Sequence, residues 1–174
     1  MPRLATVEPK DATGATAQIL AAAPINIYKG MAAHPKVFEA FVAFMKACGE
    51  GGALTKAEKE LVMLLVSERR HCDYCLAAHT RIAMGAGLSA DEALEARRGR
   101  GRDARAQALL DFAGAVLAKD GFVSDDDLAA FRDAGFTDQA VIEVVAAITA
   151  MTFTNLYNHI HETEIDFPAV PALV

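Results

Sequence analysis

The chain has 174 residues, 53% of them apolar, and a net charge of −6 from 17 basic and 23 acidic side chains. That length suits one folded domain with a sizeable core, and so apolar a composition excludes a disordered chain. The acidic balance argues against nucleic-acid binding, because the densest basic patch, 97–105, is broken by Gly99, Gly101 and Asp103. The opening stretch MPRLATVEPKDATG lacks the apolar segment of a secretory signal, and no strongly apolar run approaches the ~20 residues of a membrane span. A cytoplasmic protein with no membrane partner is expected.

No stretch alternates apolar and polar residues long enough for a strand, whereas helix-period patterns recur, so the expected fold is all-α. Residues 1–15 read as a loose arm. A short helix is predicted over 16–22, stopping before Pro24. The next begins near Pro35 and runs through KVFEAFVAFMKAC until GEGG, 49–52, ends it. Thr55 opens a third helix with Glu58 three residues on, the spacing of a capping box. Its run at 61–66 is apolar on every side, which marks a central, buried helix ending between Glu68 and His71. A fourth helix runs from about Cys72 to Met84, closed by GAG at 85–87. Ser89 with Glu92 repeats the capping box and opens a short helix to Arg97, after which RGRGR is a loop. Helices follow over 103–119, over 124–134 and, capped by Thr137, to about Glu162. The tail DFPAVPALV, with two prolines, is extended. No repeat or linker divides the chain. The expectation is a single-domain bundle of seven or eight helices over 1–174.

The residues with chemical capacity cluster in SERRHCDYCLAAHTRIA, 67–83. Cys72, Cys75 and His79 stand at i, i+3 and i+7, on one face of a helix. Cys72 falls in the first turn, where free N–H groups and the helix dipole favour a thiolate. That position also predicts that it is the more exposed of the two. His79 lies one turn beyond Cys75 and can serve as its general base. An attacking thiolate and a second cysteine that closes a disulfide are the minimum for a dithiol redox cycle. If the third and fourth helices form an antiparallel hairpin, Glu60 lies roughly opposite 79–82. A carboxylate in that apolar run needs a partner, and His79 is the natural one.

Further residues join with less definition. Glu68, four residues before Cys72, either faces solvent or closes over the site. Ser67 and the Tyr74 hydroxyl are neighbours. Lys56, Glu58 and Lys59 are expected in solvent, and Cys48 reads as structural. Zinc is a chemical rival, with His71 joining Cys72, Cys75 and His79. Structural zinc sites usually draw on two separated ligand pairs, however, and the sequence offers no second one. No cofactor and no metal are therefore expected. On the last helix Asn155, Asn158, His159 and Glu162 share a face, a polar stripe able to line a pocket or a subunit contact. His161 points elsewhere, to the surface.

The segment LTKAEKELVMLLVSERRHCDYCLAAHTRIAMGAGLS, 54–89, resembles the core of the carboxymuconolactone decarboxylase superfamily, in its alkylhydroperoxidase D-like branch. The matching elements are Leu54-Thr55 with Glu58 and Glu60, then C-x-x-C-x-x-x-H, then the closing Gly-Leu-Ser. Weaker similarity extends to AAHPKVFEAFVAF, and NLYNHIHETEIDFP is similar to the end of uncharacterised peroxidase-related members. The resemblance implies an all-helical homo-oligomer (dimer, trimer or hexamer) with cysteine-based peroxidase activity on organic hydroperoxides, and an external dithiol as electron donor. It implies a proton relay through Glu60, twelve residues before the first cysteine, and His79. Some members carry a histidine just before the second cysteine, where this chain has Tyr74. Members that decarboxylate a lactone generally lack the cysteine pair. On this reading Cys75 attacks, being one turn from His79, and Cys72 resolves, while the helix-start argument favours the reverse. The same residues suit a thiol–disulfide oxidoreductase or redox sensor. A non-catalytic helical assembly with a metal or regulatory cysteine clip is the remaining alternative.

Overall fold

The run that is apolar on every side lies where its composition requires. In the computed structural model, which describes residues 2–50 and 52–173, every residue from 59 to 67 is buried. The helices are α1 (Gly14–Ala22), α2 (Asn26–Met31), α3 (Pro35–Gly49), α4 (Lys56–Arg69), α5 (Asp73–Gly85), α6 (Ala90–Arg97), α7 (Ala104–Ala118), α8 (Asp125–Asp133) and α9 (Asp138–His161). A 3-10 turn at Pro9–Asp11 precedes them, and the described residues contain no strand. The axis is α4, against which α5, α6, α7 and α9 all pack. A helix with no polar face gains hydrophobic free energy only when it is surrounded in this way.

Local signals set the helix starts. Thr55 caps α4 and pairs with Glu58, Ser89 caps α6 with Glu92, and Ser124 caps α8 with Asp127. In each, the hydroxyl accepts the third helical N–H while the acid accepts the cap residue's own N–H. In α5 the corresponding cap and third positions are Cys72 and Cys75. The turn between α4 and α5 is a Schellman motif. His71 takes left-handed backbone (φ 54°), its N–H donates to Glu68 O (3.0 Å), and Cys72 N–H donates to Ser67 O (3.0 Å). This tight reversal lays α5 back along α4 and fixes which residues face each other.

The described residues hold nine α-helices rather than seven or eight, and the unexpected one is α2. It is six residues long, and its starting N–H, on Asn26, donates to the Asp166 carboxylate (2.7 Å), 140 residues away in sequence. The N-terminal arm is not loose. Val7 N–H donates to Lys29 O (2.9 Å), Arg3 N–H donates to His161 O (2.9 Å), and α1 begins at Gly14. Lys59, expected in solvent, is buried because its Nζ donates to Glu50 O (2.7 Å) and faces Glu143 (3.3 Å). Glu143 also accepts the N–H groups of Ala53 and Leu54 (2.7 and 3.0 Å), so α9 clamps the connection between α3 and α4. Gly51, inside the predicted GEGG break, lies outside the described residues.

By length and composition alone α9, with 24 residues, is apolar enough to cross a membrane. Its inner face (Ala140, Val144, Ala147, Met151) forms a wall of the core, while Ile142, Val145, Phe153, Leu156 and Ile160 are exposed.

Candidate active site

The α4–α5 hairpin brings Glu60 against His79. Glu60 Oε2 lies 2.8 Å from His79 Nδ1, and the two residues are 7% and 8% exposed. A carboxylate on Nδ1 selects the tautomer with its proton there, which leaves Nε2 as the free base.

Both sulfurs lie inside the protein, Cys72 at 1% and Cys75 at 2% exposure. The expectation that the helix-start cysteine is the more exposed one is therefore not met. The cause is α9, which packs over the start of α5. Asn158 donates its Nδ2–H to Cys75 Sγ at 3.2 Å and lies 3.8 Å from Cys72 Sγ. Thr154 Oγ1, one helical turn away on the same face of α9, lies 3.7 Å from Cys75 Sγ.

The protons are shared unevenly. The hydrogen bond from the Cys75 thiol, opposed by burial, holds Cys72 down from 9.0 to about 6. The Cys75 backbone N–H, the Asn158 amide and the nearby His159 add to the effect. Cys75 is pushed well above the ordinary thiol range, first by its hydrogen bond to the Cys72 sulfur and then by burial. At neutral pH the pair holds one proton, as a Cys72 thiolate beside a Cys75 thiol.

Cys75 and His79 line a cavity of about 100 Å³ whose other walls include Tyr28, Phe41, Met45, Tyr74 and Phe167. Cys72 is not among its walls. Glu60 lines a second cavity, of about 640 Å³, together with Lys46, Lys56, Met63 and Ala86. Ile82 borders both. The Glu60–His79 pair thus stands between a small apolar chamber holding a thiol and a larger one holding charged side chains.

The remaining expected residues divide. Tyr74 accepts the Ile27 N–H at its hydroxyl (3.3 Å) and meets Phe167 edge to face at 5.6 Å. Burial, then the Asp166 carboxylate, push its phenol far up, so it stays protonated. Glu68 turns from the dithiol to accept from Arg97 Nε (2.7 Å), and the Ser67 hydroxyl donates back to Met63 O (2.7 Å). Asn155 is buried, with neither side-chain atom hydrogen-bonded among the described residues. His159 and Glu162, expected on the same stripe, are exposed. His161, expected at the surface, is buried, and burial depresses its pKa. It packs with Tyr157 against Gly30, where an added Cβ would lie 2.3 Å from the Tyr157 hydroxyl and 2.7 Å from His161 Nε2. Cys48 is buried near Lys59 and Glu143, and burial raises its pKa. His71 is exposed, and among the described residues no group of three or more His, Cys, Asp or Glu side chains is placed to hold a metal. Sequence reasoning did not reach Thr154 or Phe167. For Thr154 a signal existed, its place one turn before Asn158.

Residues 35–119 match the carboxymuconolactone decarboxylase family. No curated protein matches the chain. Among crystal structures, the chain resembles an uncharacterised peroxidase-related protein with an alkylhydroperoxidase AhpD core from Ralstonia eutropha JMP134. That match has a TM-score of 0.83 at 26% identity, over 95% of this chain and 92% of that one. An uncharacterised peroxidase-related protein from Silicibacter sp. TM1040 gives 0.71 at 24% identity, over 78% and 73%. A cysteine-to-alanine form of the debrominase Bmp8, in complex with 2,3,4-tribromopyrrole, gives 0.70 at 19% identity, over 81% and 76%. The last two share the fold. The family match spans α3 to α7, including Glu60, both motif cysteines and His79, and together with the AhpD-core neighbour it supports the carboxymuconolactone decarboxylase/AhpD superfamily for this chain.

Proposed function

We propose that this protein is a dithiol peroxidase acting on small organic hydroperoxides. The observation that carries the reading is the buried Glu60–His79 pair, 2.8 Å apart, with His79 lining the same apolar cavity as Cys75. A base fixed by a carboxylate beside a cavity-facing thiol is the arrangement of an activated nucleophile. His79 takes the Cys75 proton as the sulfur attacks the terminal peroxide oxygen. The O–O bond breaks, Cys75 becomes a sulfenic acid, and the leaving alkoxide collects the proton from His79 as an alcohol. Cys72, held as a thiolate, attacks the sulfenic sulfur, forms the disulfide and releases hydroxide, which is protonated to water.

The same asymmetry suits the reductive half. An external dithiol entering the cavity meets Cys75, and its attack there expels Cys72 as thiolate. The low pKa of Cys72 makes it the better leaving group. Resting ionisation alone would name Cys72 as nucleophile. Access favours Cys75, because it lines the cavity and Cys72 does not. The exposed apolar side chains of α9 suit a contact with a second copy of the chain, and sedimentation would show an oligomer.

The test mixes reduced protein, in a Cys48→Ser background, with tert-butyl hydroperoxide and follows thiol loss. Fast oxidation to a disulfide is expected in the background protein. A sulfenic acid trappable at Cys75 is expected in Cys72→Ser, and no fast phase in Cys75→Ser. Oxidation no faster than that of a free thiol at the same pH refutes the reading. Because one structural neighbour is a debrominase, a bromopyrrole is assayed in parallel.

A further inference from the structure

We propose that Phe167 is the specificity-determining residue of the dithiol cavity, carried on a C-terminal strap that sets the size of the molecules reaching Cys75. The inference rests on the dithiol reading only in naming Cys75 as the group guarded. The strap begins where α9 stops. Glu162 takes left-handed backbone (φ 51°) and turns the chain back over the molecule, and Thr163 N–H donates to Asn158 O (3.3 Å). The next residues make no regular structure, yet they are held at three points. Glu164 O accepts from Asn26 Nδ2 (3.0 Å), the Asp166 carboxylate accepts the Asn26 N–H (2.7 Å), and Pro171 O accepts from Arg97 Nη1 (2.8 Å). Arg97 is itself buried and bonded to Glu68.

Between these anchors Phe167 points inward. Its ring meets Tyr74, the residue between the two cysteines, edge to face at 5.6 Å, and lines the cavity that holds Cys75 and His79. The other large walls of that cavity, Phe41, Tyr28 and Tyr74, belong to helices packed into the core. Phe167 is the aromatic wall that belongs to no helix, so it is the one that can yield without unpacking the bundle; Ile25, the other wall outside a helix, is the cap residue of α2. Behind it the cavity measures about 100 Å³, less than the ~150 Å³ that accommodates benzene in an engineered apolar cavity. With the strap seated, the reactive end of a compact molecule reaches Cys75 while a bulky fused-ring body is held out. A protein dithiol meets sulfurs that are almost wholly covered, so its access depends on the strap lifting.

The test needs no peroxide. In the Cys48→Ser background, Cys72 and Cys75 are labelled with N-methylmaleimide and with N-(1-pyrenyl)maleimide, the same electrophile on a small and a large body. Phe167→Ala is expected to raise the rate for the pyrenyl reagent about tenfold while the methyl reagent changes by less than about threefold. Phe167→Leu should keep most of the wild-type discrimination. Asp166→Asn, which weakens the anchor at Asn26, should speed both reagents. Ile165→Ala, an exposed strap residue outside the cavity wall, should change neither. Helicity by circular dichroism checks that each variant is folded. A pyrenyl-to-methyl ratio that ignores Phe167→Ala, or that moves equally with Ile165→Ala, overturns the proposal. A protein inert to hydroperoxide can still support the gate, and an active peroxidase whose labelling ignores Phe167 sinks it.

Discussion

The ionisation of Cys72 is the feature most open to direct measurement, and Asn158→Leu is the perturbation that tests its origin. The drop from 9.0 to about 6 corresponds to ~4 kcal/mol in favour of the thiolate. Burial opposes ionisation, so hydrogen bonds and charge must supply more than that. The Cys75 thiol is the largest contributor, and the Asn158 amide is another. A hydrogen bond to a charged acceptor contributes about 1.5–3 kcal/mol. Asn158 divides its donor between Cys75 Sγ at 3.2 Å and Cys72 Sγ at 3.8 Å, which places its effect on Cys72 at the lower end. Removing ~1.5 kcal/mol of thiolate stabilisation raises the midpoint by about one pH unit. The sign is fixed, because fewer donors leave the charged form less stable. The Cys75 donor remains, so the midpoint stays well below 9.0. The assay is thiolate absorbance near 240 nm against pH, on reduced protein in the Cys48→Ser background. Asn158→Asp keeps the side-chain shape but adds a like charge, and should raise the midpoint further than leucine does. A midpoint that stays at about 6 in Asn158→Leu, or falls, would refute the assignment of the α9 amide as a thiolate donor.

Other consequences are equally concrete. Glu60→Leu leaves a buried imidazole without its acceptor and should lower stability by about 2 kcal/mol in urea unfolding. Adding His79→Leu should recover part of that, and strictly additive losses would show the pair to be uncoupled. Gly30→Ala drives a methyl against the Tyr157 hydroxyl and His161, for an expected loss of about 1–3 kcal/mol and a lower Tm. Tyr157→Phe, which removes the nearest atom, should relieve it, and an unchanged Tm in Gly30→Ala would contradict the packing described. Arg97→Ala frees both Glu68 and the tail carbonyl it holds. Amide exchange over 169–173 should accelerate while that of α4 does not, and equal acceleration in both would mean that Arg97 supports the core rather than the strap.

What could be read in advance follows from how local each cause is. The register of Glu60 on His79 was legible because it needs only two adjacent helices and the short turn between them. The caps at Thr55 and Ser89 were legible because each is closed by an acid three residues on. The helix α2 was not, because the group that satisfies its first N–H is Asp166, from the far end of the chain. Lys59 looked like a solvent-facing lysine because its partner Glu143 lies on α9. Cys72 looked exposed because the first turn of an isolated helix is open, and only the packing of Asn158 and Thr154 closes it. His161 was misplaced for a related reason, since the Gly30 surface that receives it becomes apparent only once α2 exists. The left-handed turn at His71 carried no glycine to announce it.

The placement of Cys72 and Cys75 at the cap and third positions of α5 makes the dithiol a piece of secondary structure as well as a reagent. In the reduced protein a thiolate stands where α4, α6 and α8 use a hydroxyl. In the oxidised protein a covalent bond would brace the same first turn. Cys72→Ala removes the thiol from the cap position, where its side chain makes no capping hydrogen bond. Cys72→Ser exchanges sulfur for oxygen, offers α5 the cap its sister helices use, and removes the second thiol while leaving the architecture in place.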